Sequence, residues 1–178
     1  MSVTHSARAM EISSATFKNN QFLKMDQANM ACGGKNISPD LKWTGVPPAA
    51  KSLALVMHDP DAPRPHGFYH WIIVDIPTRA TGLPEGGKFL PPAGEVVADA
   101  GEGYAGPCPP VGGGAHHYNF TIYAMDVESI NLTNPDSYEI EQAIKSHSIG
   151  SATITGLSER KPLPQSPDPQ KAKPETKK

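Results

Sequence analysis

Four short stretches concentrate the side chains able to do chemistry: Asp59-Pro60-Asp61-Ala62-Pro63, His70-Trp71, Gly106-Pro107-Cys108-Pro109-Pro110 and His116-His117-Tyr118. Carboxylate, imidazole and phenol in one place suit recognition of an anionic oxygen. An imidazolium pair and a tyrosine hydroxyl donate hydrogen bonds, while Asp59 orients one imidazole and fixes its tautomer or raises its pKa. The carboxylate would repel an anion unless paired with a histidine or protonated. Each proline removes a backbone donor, fixes its own φ and holds the preceding residue extended, so both proline clusters read as stiff walls. Glycine and proline backbone at Gly106, Pro109 and Pro110 lets a ligand approach the main chain closely.

The elements that must position these groups read mainly as strands. Residues 52–58, 69–76 and 118–124 are rich in apolar and β-branched side chains, and side chains two apart share a strand face. Asp59 falls in step with Leu53, Leu55 and Met57, His70 with Ile72, Val74 and Ile76, and His116 with Tyr118, Phe120 and Ile122. Three titratable groups therefore stand where apolar strand faces end. Residues 69–76 are apolar on both faces, as expected at the centre of a sandwich. A first strand is expected within residues 11–17 and a closing one at 150–156, with a mostly looped stretch at 77–103. A helix is expected from Asn134-Pro135, carrying Ile140, Ala143, Ile144 and His147 at helical spacing.

The chain of 178 residues holds 19 prolines and 16 glycines, too many for a helical bundle. Lying between apolar runs, they favour one mainly β domain over residues 11–160, preceded by a lead-in at 1–10 and followed by a disordered or extended Pro/Lys-rich tail at 161–178. A formal net charge of -2 gives no basic footprint for nucleic acid. No stretch approaches the roughly 20 apolar residues of a membrane span. The N-terminus lacks the pattern of a signal peptide, so the expected compartment is the cytoplasm, or the periplasm if a leader was removed. Neither a Gly-x-Ser-x-Gly elbow nor a His-Glu-x-x-His helix is present, and Cys32 and Cys108 form no Cys-x-x-Cys pair.

Together with Cys32-Gly33-Gly34-Lys35-Asn36-Ile37-Ser38-Pro39, Leu41-Lys42-Trp43 and Tyr123-Ala124-Met125-Asp126, these motifs resemble the phosphatidylethanolamine-binding protein family in its bacterial, Raf-kinase-inhibitor-like form. The resemblance covers most of the chain. It implies an antiparallel, Greek-key-like β-sandwich with one or two peripheral helices. It also implies that Asp59, Pro63, His70, Pro110, His116 and Tyr118 line a small pocket for phosphate, phosphoryl headgroups or carboxylates. Cys32 and Cys108 are placed beside that pocket, bridged if the compartment is oxidising and otherwise two reduced, half-buried thiols. A homodimer is implied too. No cofactor is expected. Where animal members of the family carry a C-terminal helix that helps close the pocket, this chain has a polar, proline-rich tail, which favours a more open pocket for small anions.

The expected function is binding and regulation, not catalysis. Two other readings stand beside it: a hydrolase or metal-dependent enzyme using the His and Asp cluster, and an inhibitor of a kinase or protease acting by protein contact. Asp59 and Asp61 could also be turn carboxylates bonding local amides. Trp43 and Trp71 read as core, and His58, His66 and His117 as lying away from the pocket.

Overall fold

The structure, a computed structural model, describes residues 9–88, 94–96, 99 and 103–162. Most of the expected lead-in, and the tail from residue 163 onward, lie outside the described residues. In chain order the strands are β1 (Glu11–Ser13), β2 (Gln21–Phe22), β3 (Leu41–Thr44), β4 (Ser52–Asp59), β5 (Phe68–Ile76), β6 (Gly82–Leu83), β7 (Gly94–Val96), β8 (His116–Met125) and β9 (Ser148–Ser158). One helix, α1 (Ser137–Ser146), precedes β9, and two 3-10 turns, Met25–Gln27 and Met30–Cys32, precede β3.

Two sheets form the sandwich: a small one ordered β1-β3-β6 and a large one ordered β2-β9-β8-β4-β5-β7. All pairs are antiparallel except β2 with β9. Between the sheets lies the main core, with Leu53, Leu55 and Met57 of β4 packed among Trp43, Trp71, Tyr118, Phe120 and Ile122. On the other side of the large sheet Ala54, Val56, Ile72 and Val74 pack under Ile140 and Ile144 of α1. The central strands are apolar on both faces because both faces are covered.

Strand phase places His70 with Ile72 and Val74, and the structure corrects this. Met57 pairs with Trp71 and His58 with Tyr69, so His70 is an extra residue in β5. This β-bulge turns His70 toward the same side as Trp71, into the inter-sheet face with Tyr118, while Ile72 and Val74 face the helix. A second irregularity lets Ile73 and Ile76 oppose Leu55 and Leu53, with Asp75 at φ 57°. Ile76 thereby returns to the inter-sheet core.

Two other expectations change. Asn134-Pro135 lies before the helix, and Asp136 is the cap: its Oδ1 accepts from Glu139 N at 2.8 Å, and Glu139 Oε2 accepts from Asp136 N at 3.0 Å. The stretch expected to be loop contains β6 and β7, each given its strand geometry by a partner, β3 and β5 respectively.

Candidate anion pocket

Three strand ends meet at one end of the sandwich. Asp59 closes β4, Phe68 opens β5 opposite it, and the register of β4 with β8 (Met57 to Phe120, His58 to Asn119) brings Tyr118 to the level of Asp59. The turn at 60–67 and the segment 104–110 wall a cavity of about 400 Å³ above them. Asp59, Pro63, His70, Gly106, Pro109, Pro110, His116 and Tyr118 all line it, so the structure brings every expected pocket residue together. Asn29, Arg64 and Phe68 line it as well and were not expected. Arg64 follows the Asp-Pro-Asp-Ala-Pro run directly, and that adjacency was the available signal.

Asp59 serves both of the roles that the sequence left open. Its Oδ1 accepts from Asp61 N at 2.9 Å, a local turn bond, and its Oδ2 accepts from His116 Nδ1 at 2.8 Å. Both partners are buried, at 3% exposure for Asp59 and 6% for His116. His70 Nδ1 donates to the Ala105 carbonyl at 2.9 Å. Its ring meets Tyr118 edge-on at 5.1 Å and Phe68 at 4.7 Å. Burial pushes His70 down to about 4, outweighing the Ala105 bond and the Asp59 charge. It is therefore a neutral imidazole at neutral pH, which corrects the expected imidazolium pair. Burial, then the nearby Asp59 charge, push the Tyr118 phenol up, so it stays a donor. Its hydroxyl is buried close to the Asp59 carboxylate but is not aligned for a good hydrogen bond.

The pocket wall is fastened from outside. Cys32 and Cys108 form a disulfide across 76 residues, and Cys108 lines the cavity. Asn36 donates through Nδ2 to Tyr104 O at 2.8 Å and accepts from Gly106 N at 2.7 Å. Asn29 N donates to Pro107 O at 3.1 Å. Gly106 must be glycine, because a Cβ there would run into the backbone of Gln27, Ala28 and Asn29.

Arg64 sits at the rim, its guanidinium 5.1 Å from the Phe68 ring centre and 3.8 Å from Asp99 Oδ2. Outside the cavity, His117 and Asp61 form an exposed pair at 2.7 Å. His58 stacks on Tyr69 and His66 on Tyr138, lining a separate hollow of about 370 Å³ beside α1. Trp43 and Trp71 are core residues. Among the described residues no group of three or more His, Cys, Asp or Glu side chains able to hold a metal is found, and no helix is long and apolar enough to cross a membrane.

Residues 13–159 match the family description "Phosphatidylethanolamine-binding protein". A UPF0098 protein of Methanothermobacter thermautotrophicus is 41% identical over 72% of this chain and 87% of its own length. The UPF0098 protein YbcL of Escherichia coli is 35% identical over 87% of this chain and 90% of its own. A relative named "Putative lipoprotein LppC" from Mycobacterium tuberculosis is 38% identical over 72% of this chain and 63% of its own. The E. coli YbcL crystal structure, described as a new member of the mammalian PEBP family, superposes with a TM-score of 0.79 at 33% identity, covering 85% of this chain and 99% of that one. A carboxypeptidase Y inhibitor in complex with its cognate proteinase shares the fold at a TM-score of 0.52 and 16% identity, covering 85% of this chain and 84% of that one. With its own pocket residues assembled on that fold, the chain belongs to the phosphatidylethanolamine-binding protein family, in the bacterial branch.

Proposed function

We propose that the chain binds a small anionic ligand, phosphate or a phosphoryl headgroup, in the cavity above Asp59, and that this binding serves a regulatory or inhibitory role rather than catalysis. The observation that carries the reading is the buried Tyr118 hydroxyl. It lies against the Asp59 carboxylate of the Asp59–His116 pair without forming a well-aligned hydrogen bond, in a walled cavity that opens to solvent. An unfilled donor in such a place calls for an acceptor, and an anionic oxygen meets that demand best. Pairing with His116 lowers the repulsion that Asp59 would otherwise exert. Arg64 at the rim adds the long-range attraction.

The disulfide supports an oxidising compartment such as the periplasm over the cytoplasm, and the lipoprotein name of the mycobacterial relative supports the same choice. A homodimer is part of the reading. Phe22, Met25 and Met30, at 56%, 65% and 71% exposure, support it as apolar surface that a second copy would cover.

The test is a histidine-resolved NMR titration with phosphate and then phosphoethanolamine, and separately Zn²⁺, on the wild type and His70→Ala. Saturable shifts at His70, His116 and Tyr118, weakened in the variant, are expected. Silence toward both anions together with a tight Zn²⁺ response would replace the anion pocket with a metal enzyme.

A further inference from the structure

The central strands carry a second hollow at the end opposite the anion pocket. It measures about 550 Å³ and is lined by Lys51 and Ser52 where β4 starts, by Asp75 and Arg79 at and just beyond the end of β5, and by Glu128 and Ser129 beyond β8. Its backbone is fixed from several directions. Lys51 N donates to Met125 O at 2.8 Å, Ser52 Oγ to Val127 O at 2.7 Å, Ala80 N to Pro77 O at 2.9 Å and Trp43 Nε1 to Ala80 O at 2.7 Å. The charges around the hollow take no part in that fastening. Two cations, Lys51 and Arg79, and two carboxylates, Asp75 and Glu128, line one space, yet among the described residues no ion pair joins any two of them. Asp75 has a single bond, from Ser129 Oγ to its Oδ2 at 2.9 Å, and its Oδ1 is buried without a hydrogen bond.

The backbone brings Asp75 to this place through a bulge. Leu53 pairs with Ile76 and Leu55 with Ile73, so Val74 and Asp75 together stand opposite Ala54, and Asp75 takes φ 57°. Glycine adopts that conformation freely, whereas a side chain there is uncommon and sterically disfavoured. A carboxylate where the backbone alone would favour glycine points to a use for the side chain, and the Ser129 bond occupies one of its two oxygens.

The mixture of signs selects the ligand. A lone anion is drawn to Lys51 and Arg79 but repelled by the two carboxylates, and a lone cation meets the reverse. A molecule carrying both charges satisfies both pairs and leaves the hollow neutral. We propose that this hollow binds a small zwitterion, a free amino acid or short peptide, whose carboxylate pairs with Arg79 and Lys51 and whose ammonium lies over Asp75 and Glu128. In the sheet β4 lies between β8 and β5, so Arg79 and Glu128 rise on opposite sides of Lys51 and a bridging ligand spans all three walls. No residue lines both this hollow and the anion pocket.

The experiment is a residue-resolved NMR titration of the full chain with the dipeptide alanyl-alanine, with its N-acetyl form, which lacks the cation, and with its C-terminal amide, which lacks the anion. Alanyl-alanine should give saturable shifts at residues 51–52, 75–79 and 128–129, and each blocked form should bind about tenfold more weakly, the worth of one charge-assisted bond. Arg79→Gln should weaken alanyl-alanine about tenfold and leave its amide unchanged. Glu128→Gln, or Asp75→Asn, which keeps an acceptor for Ser129, should weaken alanyl-alanine likewise without weakening the N-acetyl form. Equal affinity for the three peptides, shifts confined to His70, His116 and Tyr118, no saturable shift at all, or full affinity in the variants would each overturn the proposal. None of these outcomes bears on phosphate at the other end of the strands, which is tested with its own ligands.

Discussion

Two carboxylates are buried against opposite faces of the same central strands, and they are completed in opposite ways. Glu141, reaching from α1 onto the outer face, accepts from Tyr69 Oη at 2.8 Å, Tyr123 Oη at 3.3 Å and Lys145 Nζ at 2.9 Å. Burial raises its pKa, but the Lys145 and Tyr69 bonds outweigh burial and hold it below the usual range. Asp59, on the inner face, has a histidine and one turn amide, and the phenol beside it is left without a bond. A finished network fastens a helix to a sheet; an unfinished one, beside a cavity, leaves polar groups that a ligand can complete. Burial alone does not separate the two carboxylates. The state of their neighbours does.

The covalent staple belongs to the unfinished side, and cutting it should have the largest effect. Closing a loop of 76 residues restricts the unfolded chain by about 4 kcal/mol. Urea unfolding with and without reductant, or of Cys32→Ser/Cys108→Ser, should lose stability of that order, with phosphate affinity falling as the wall at 104–110 loosens. An unchanged midpoint would mean that the Asn36 and Asn29 bonds hold the wall by themselves. Glu141→Ala comes next, at about 3 kcal/mol, because it strands two buried tyrosine hydroxyls and frees Lys145. Its phosphate affinity should stay within about twofold of wild type. A larger loss of binding would break the distinction between the two faces.

Acid separates them next. The folded-state pKa of His70, about 4, lies below its ordinary value of 6.5. Between those values the unfolded chain holds the extra proton, so the His70 contribution is complete above pH 6.5 and is lost as pH falls toward 4. The full loss is up to about 3 kcal/mol. Glu141, with its pKa lowered, adds its own loss only at lower pH, within and below the carboxylate range. Chemical unfolding from pH 7 to 4.5 should therefore slope downward in the wild type and flatten in His70→Gln. A variant that keeps the wild-type slope would assign it to another group.

Much of this was legible in residue order. The strand phase of Asp59 and His116 carried them to the inner face, and the pocket motifs named side chains that do converge. What could not be read was a count of one. The bulge at His70 inserts a residue into β5 without changing its composition, and only pairing with β4 shows which face the ring takes. The neutral state of that imidazole follows from burial, which needs all three strands in place. The helix cap was decidable, since Asp136 has Glu139 three residues on whereas Asn134-Pro135 offers no reciprocal partner. β6 and β7, two and three residues long, have no pattern of their own and exist through their neighbours.

The smallest expected change in stability is the one that speaks most directly to the comparison. Tyr118 is 0% exposed, and its hydroxyl is already without a hydrogen bond in the folded protein. Tyr118→Phe removes a desolvated polar group that is poorly aligned on its neighbour Asp59, which keeps its bonds from His116 and Asp61, so its stability should stay within about 1 kcal/mol of wild type, on either side. The corresponding change at Tyr69 removes a bond that Glu141 receives and should cost more. If the Tyr118 hydroxyl is there for a ligand, phosphate affinity should fall about tenfold in Tyr118→Phe, the worth of one hydrogen bond to a charged acceptor. The two quantities are read from one preparation, by unfolding and by calorimetry. Lost binding with kept stability marks a group held ready for a ligand; lost stability with kept binding would return Tyr118 to the core.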